Sequence, residues 1–199
     1  PEKIIFLQSD IKELNKYNHA IDEEIKGNPV AFFYKANELY KLRLTEIKNN
    51  CAALLEKPFH FEAMDSIVTD FDLRTYASNT KAQLQQWQKK LKFITLEKLV
   101  DLQEDRDKIK SDTVKKASDN ELEVQARAFA KTSMDKSLDR LLNKTTDDDR
   151  FSMFVTTITN TMDPHTDYFM PVEKRAWDER LSGKFYGIGA MIGEENGYV

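Results

Sequence analysis

Cysteine, glycine and proline are all scarce in this chain of 199 residues, which has one cysteine, six glycines and five prolines. The single cysteine, Cys51, cannot form a disulfide within the chain, and a cysteine-based zinc site would need partners that are missing. Charged residues make up 32% of the chain and hydrophobic residues 40%. This balance of charged and hydrophobic residues, with few glycines and prolines to break helices, is typical of a helix-rich globular protein.

Two further absences exclude classes of partner. No apolar run reaches the length of a transmembrane helix, so the chain is not expected to span a membrane. The net charge is −4, and basic residues alternate with acidic ones instead of forming a stripe with interleaved aromatics. Nucleic acid is therefore a poor candidate as a ligand.

Apolar residues recur every three or four positions along most of the chain, and this spacing predicts long amphipathic helices. Helices are predicted over residues 10–27 and 28–57, from 78–80 to beyond 102, from 118 to beyond 141, and over 147–162. The predicted buried faces consist of Val30, Phe33, Asn37, Tyr40, Leu44, Ile47, Cys51 and Leu54 in the second helix, Leu84, Trp87, Leu91 and Ile94 in the third, Leu122, Ala126, Phe129, Ala130, Ser133, Met134, Leu138 and Leu141 in the fourth, and Phe151, Phe154, Val155, Ile158 and Met162 in the last.

Local signals mark where these helices begin and end. Ser118 and Glu121 have the spacing of a capping box, and Gly27 is placed to end the first helix. Asp163-Pro164 is expected to end the last one. Residues 58–77 carry no helical period and are predicted to be irregular, with aromatic anchors to the helices at Phe59, Phe61, Phe71 and Tyr76.

The composition changes after Pro171, where glycines 183, 187, 189 and 193 follow closely on one another. Residues 185–192 are predicted to form a strand, 194–197 a turn, and Tyr198-Val199 the start of a second strand. A hairpin cut in its second strand is not stable alone. The sequence therefore predicts a mainly α protein with a short truncated β segment at its C-terminus.

Several segments together resemble one protein family. Asp163-Pro164-His165-Thr166-Asp167-Tyr168-Phe169-Met170-Pro171, followed by Gly187-Ile188-Gly189-Ala190, resembles the junction in tail-specific (C-terminal processing) proteases where an N-terminal helical domain meets a PDZ domain. Residues 6–11, 54–61 and 87–96 resemble further stretches of that helical domain, in the same order. The likeness thus covers nearly the whole chain.

The resemblance implies a division into an N-terminal helical domain (1–163), a linker (164–183) and the first strands of a truncated PDZ domain (184–199). It implies that the parent protein is a periplasmic serine endopeptidase that recognises apolar C-terminal tails. Its serine nucleophile and lysine base would lie in a later domain, so this chain would hold no catalytic residue and no cofactor. A protein adaptor is a further possible partner.

Within that resemblance, Gly187, Ile188, Gly189 and Ala190 are the candidate substrate-binding residues. A PDZ domain binds a terminal carboxylate with backbone amides of a glycine-rich loop, while the peptide adds as a strand beside it. Glycine permits the close approach of the backbone that this requires. The same four residues also suit an ordinary strand or bulge.

Other residues suggest chemistry but have simpler interpretations. Asp163, His165 and Asp167 alternate as metal ligands could, but a helix end followed by a turn accounts for them and further ligands are missing. Ser-x-x-Lys occurs at Ser9, Ser78 and Ser133, yet the companion motifs of penicillin-recognising enzymes are absent. The acidic run 147–149 fits a helix start.

A different class of function is also open. The helices could form a free-standing protein-interaction module with no protease attached. That alternative predicts a disordered tail over residues 187–199, where the protease interpretation predicts an ordered strand.

Overall fold

The computed structural model describes residues 3–27, 30–62, 65–70, 72–109, 116–166 and 168–183, and it divides into two compact units at residues 147 and 148. The α-helices of the described residues are α1 (Gln8–Leu14), α2 (Ile21–Ile25), α3 (Ala31–Leu54), α4 (Thr80–Lys108), α5 (Asp119–Asp139), α6 (Asp147–Met162) and α7 (Pro171–Ser182). A 3-10 turn (Asn15–Tyr17) follows α1, and a π-helical turn (Arg140–Lys144) follows α5.

The fold is mainly α, as the sequence predicts. The predicted β segment at residues 185–199 lies outside the described residues. None of the helices that are described combines the length and the apolar character that crossing a bilayer requires.

The first predicted helix is wrong in its middle, because residues 10–27 form α1, a 3-10 turn and α2 instead of one helix. The run from Asn15 to His19 contains residues of modest helix propensity, which explains the break. The expected stop at Gly27 is confirmed, since this glycine has a φ of +107° just beyond α2. Residues with a side chain rarely adopt that conformation.

The main core of the first unit lies between α3, α4 and α5, where the predicted seam of α3 is largely confirmed. Leu44, Ile47 and Cys51 are almost fully buried, and Tyr40 and Leu54 pack against them. Burial raises the pKa of the Cys51 thiol to about 12. Cys51 is therefore a core residue with an unreactive thiol.

The buried stripe of α4 differs from the prediction. Residues are buried at every fourth position from 83 to 99, namely Gln83, Trp87, Leu91, Thr95 and Leu99. The predicted Leu84 and Ile94 are only half-buried, although Ile94 packs against the main core as predicted. The prediction missed the two polar residues of the stripe, Gln83 and Thr95, because it used only apolar residues to define the buried face.

Helix α5 shows the same four-residue spacing, with Leu122, Ala126, Ala130, Met134 and Leu138 buried. Its capping box is confirmed, because the Ser118 amide donates to Glu121 Oε2 at 2.8 Å and the Glu121 amide donates to Ser118 Oγ.

Two members of the predicted α5 face, Phe129 and Ser133, are wrong because they lie one position off the buried stripe and are exposed. Lys98 Nζ lies 5.2 Å from the centre of the Phe129 ring. This contact covers part of the aromatic face.

The second unit contains α6 and α7. Helix α6 ends at Met162, as predicted, but the side chain of Met162 is 73% exposed and does not belong to a buried stripe. Helix α7 occupies most of the predicted linker 164–183. Gly183, with a φ of +65°, follows its last turn, the usual position of glycine after a helix.

The segment before α1 is held to α4 by buried side-chain donors. Gln83 Nε2 donates to the carbonyls of Ile4 (3.2 Å) and Ile5 (2.6 Å), and Trp87 Nε1 donates to the Ile4 carbonyl (3.1 Å). The Ile4 and Ile5 side chains enter the main core. The Gln8 amide donates to the Ala77 carbonyl at 2.8 Å. We call the bonds that Gln83 and Trp87 donate to the Ile4 and Ile5 carbonyls the α4 clamp.

A buried ion pair ties α1 to α3. Arg43 donates from Nε and Nη2 to the two Asp10 carboxylate oxygens, each at 2.8 Å, and the Leu7 amide donates to Asp10 Oδ2 at 2.8 Å. Burial alone would raise the pKa of the Asp10 carboxyl. The bonds from Arg43 and Leu7 outweigh this effect and hold the pKa below its usual value.

Replacing Gln83 by leucine should destabilise the first unit by about 2 kcal/mol, because the buried Ile5 carbonyl loses its donor. Urea unfolding followed by circular dichroism measures this change. The matched control is Gln85→Leu on the exposed face of the same helix. Equal unfolding midpoints for the two variants would contradict the structural role of the α4 clamp.

Asp10→Asn should lower the free energy of unfolding by about 2 kcal/mol at pH 7, because Arg43 loses the charged acceptor of two hydrogen bonds and keeps only its ion pair with Glu46. Since the folded-state pKa of Asp10 is depressed, its contribution is complete above the unfolded pKa of about 3.9 and is lost as pH falls through the folded value. The difference between wild type and Asp10→Asn should therefore shrink on acidification.

Urea titrations from pH 7 downward test the Asp10 prediction. The control is Glu13→Gln, whose partner Lys16 is exposed, so that this change should cost less than about 1 kcal/mol. A gap between wild type and Asp10→Asn that is independent of pH would contradict the assignment.

Candidate functional site

The candidate substrate-binding residues Gly187, Ile188, Gly189 and Ala190 lie outside the described residues. Their role therefore stays a prediction.

The junction motif forms a hydrogen-bonded turn after α6. The Asp163 carboxylate accepts from the His165 amide at 3.0 Å and from the Thr166 hydroxyl at 3.1 Å. The Thr166 amide donates to the Asp163 carbonyl at 3.0 Å, and Thr159 Oγ1 donates to the Thr166 carbonyl at 3.0 Å. The turn interpretation of Asp163 and Thr166 is confirmed.

Two aromatic pairs fix the chain just before Pro171. Tyr168 meets Phe151 of α6 edge to face, with ring centres 6.4 Å apart, and Phe169 stacks on Trp177 of α7 at 5.4 Å. Both geometries are favourable for aromatic rings. The junction motif thus anchors residues 168 and 169 between α6 and α7.

The junction turn does not assemble a metal site in the part of the chain that is described. No group of three or more His, Cys, Asp or Glu side chains converges there as metal ligands. Asp167, one of the three residues considered as ligands, is outside the described residues. The Asp163 carboxylate is already occupied by its own turn.

The three Ser-x-x-Lys pairs show no sign of an activated nucleophile. None of the serine hydroxyls at positions 9, 78 and 133 hydrogen-bonds its lysine in the described structure, whereas a nucleophile needs its base within hydrogen-bond reach. All three serines are exposed, so the expectation that Ser133 sits on an apolar face is wrong.

An irregular segment lies across α4, and we call its described residues, 65–70 and 72–76, the strap. Lys89 Nζ donates to the Ser66 carbonyl at 3.2 Å, and Lys92 forms an ion pair with Asp65 at 2.6 Å. Gln86 Nε2 donates to the Thr75 carbonyl at 3.4 Å. Side chains of α4 thus hold the strap mainly through its backbone carbonyls.

A cavity of about 190 Å³ lies between the strap, α4 and the N-terminal segment. Its apolar lining comes from Ile4, Ile67, Val68 and Leu73, and its polar lining from Ser66, Arg74, Thr75, Gln86, Lys89 and Lys90. The lining of the cavity therefore contains both apolar and basic side chains.

No sequence motif marks this cavity. Its residues come from three separated stretches, near positions 4, 66–75 and 86–90, and none of the stretches carries a motif. The one available signal was the pair of adjacent lysines, Lys89 and Lys90, on a helix next to an irregular segment. Such a pair is ordinary on a solvent-exposed helix face.

Comparison with known proteins identifies relatives over nearly the whole chain. The family described as "Tail specific protease N-terminal domain" matches residues 1–172. A "Tail-specific protease" from Haemophilus influenzae (strain ATCC 51907 / DSM 11121 / KW20 / Rd) is 25% identical over 193 residues, which are 96% of this chain and 25% of that protein. The chain thus spans about a quarter of the length of this relative.

Proposed function

Since this chain belongs to the tail-specific protease N-terminal domain family, we propose that it is the non-catalytic N-terminal part of a periplasmic serine endopeptidase. The parent enzyme recognises apolar C-terminal tails and processes or degrades the proteins that carry them. A serine nucleophile and a lysine base in a later domain perform the cleavage. The observation that carries the proposal is the family match over residues 1–172.

The second support is relative length. The chain corresponds to a quarter of a relative that is itself a tail-specific protease, which leaves about three quarters of such a protein for catalysis and further binding. In the chain itself, none of the Ser-x-x-Lys pairs is arranged as a nucleophile with its base. Both points favour a supporting role for this part of the enzyme.

In this proposal residues 184–199 begin a PDZ domain, and the backbone of Gly187, Ile188, Gly189 and Ala190 binds the terminal carboxylate of the substrate. The helical domain 1–163 supports the catalytic part, limits access to it and offers a surface to a protein adaptor. The linker 164–183 joins the two, and the helix α7 within it gives the connection a defined length.

Peptidase assays test the proposal. The purified chain should not hydrolyse a protein that ends in an apolar tail, because it lacks nucleophile and base. The product of the complete coding sequence should degrade the protein with the apolar tail and leave the same protein with a charged tail intact. The two substrates differ only in their tails and therefore serve as a matched control.

Two results would contradict the proposal. Cleavage by the purified chain would place the nucleophile within these 199 residues. A stop codon shortly after Val199 in the coding sequence would favour the alternative, a free-standing helical interaction module.

A further inference from the structure

We infer that the solvent-facing side of α4 pairs with the same side of a second copy of this chain, with the two helices antiparallel. This side carries exposed residues spaced three or four positions apart. We call them the outer stripe, and they are Lys89, Phe93, Leu96, Val100, Glu104 and Asp107. The inference concerns self-association and therefore does not depend on the proposed function.

The middle of the outer stripe is apolar and exposed. The side chains of Phe93, Leu96 and Val100 are 41%, 38% and 43% exposed. Their spacing places them on one face of the helix, and Phe93 follows the buried Leu91 by two positions, which is more than half a turn. Exposed apolar side chains that are neighbours favour an interaction surface over scattered surface residues.

The two ends of the outer stripe carry opposite charges. Lys89 lies in a part of α4, residues 80–96, that contains no acidic residue, whereas Glu104 and Asp107 form the other end. The two basic residues of the last turn are each paired with an acidic residue of the same chain. The dipole of α4 does not account for this order of charges, because it favours acidic residues near the start of a helix and basic ones near its end.

This charge order selects a second copy in the antiparallel orientation. A twofold interface brings the same patch of both copies together, so the patch must complement itself. In an antiparallel pair, Lys89 of each copy faces the acidic end of the other, on both sides of the apolar middle. A parallel pair would bring like charges together, which is unfavourable.

The charges at the two ends cannot satisfy each other within one chain. Lys89 and Glu104 are 15 positions apart, which corresponds to about 22 Å along the helix. Their attraction is therefore available only between copies.

Sedimentation equilibrium of the 199-residue chain tests the inference. The chain should show a monomer–dimer equilibrium, and added salt should weaken the dimer because it screens the charges. Since one helix from each copy makes a small interface, the measurement extends to high chain concentration. A chain that stays monomeric at every concentration would overturn the inference.

A matched pair of variants locates the interface. Leu96→Glu should weaken the dimer at least tenfold, because it places a charge in the apolar middle. The control is Val124→Glu on α5, where Val124 is also exposed but lies outside the outer stripe, and it should leave the dimer unchanged. Equal effects of the two variants would overturn the assignment to the outer stripe.

Charge reversal tests the antiparallel orientation. Lys89→Glu and Glu104→Lys should each weaken the dimer about tenfold, and the double variant should recover it, because opposite charges then face each other again. Lys89→Glu also removes the bond to the Ser66 carbonyl. The double variant lacks that bond as well, so its recovery reports the charges alone. Single variants that dimerise like wild type would overturn the antiparallel pairing.

The product of the complete coding sequence tests whether the outer stripe is also accessible in the parent protein. This product should dimerise and should respond to Leu96→Glu as the 199-residue chain does. If the chain dimerises and the complete product does not, later parts of the protein cover the stripe and the inference is overturned. Neither result affects the peptidase assay, which tests the proposed function alone.

Discussion

The α4 clamp is the interaction on which the rest of the first unit depends. Gln83 and Trp87 are buried donors one turn apart, and both bond to the Ile4 carbonyl. Because buried backbone carbonyls need partners, these bonds allow the segment before α1 to enter the core without losing hydrogen bonds. Ile4 and Ile5 then complete the apolar cluster between α3, α4 and α5, and Ile4 forms a wall of the cavity.

Helix α4 therefore has two structural roles. Its buried stripe packs against the core and holds the N-terminal segment, while Gln86, Lys89 and Lys92 hold the strap. The Asp10–Arg43 ion pair fixes α1 to α3 in the same unit. A helix held on two sides in this way is a rigid support, which suits the proposed role of the domain beside a catalytic part of the parent enzyme.

The sequence predicted the elements whose signals are local. The α3 seam, the Ser118 capping box and the Asp163 turn depend on neighbouring residues, and all three are present. What it missed depends on distant partners: Gln83 is buried because it bonds residues almost 80 positions away, and the cavity joins three separated stretches. Phe129 was misplaced because an apolar residue one position off the stripe of α5 still fits a helical period.

One shared acceptor, the Ile4 carbonyl, couples Gln83 and Trp87. A double-mutant cycle measures this coupling, with urea unfolding of wild type, Gln83→Leu, Trp87→Phe and the double variant. Coupled donors should give an interaction free energy of about 1 kcal/mol or more, because neighbours that share a partner are not additive. Additive changes, within about 0.3 kcal/mol, would contradict the claim that the two donors act as one clamp.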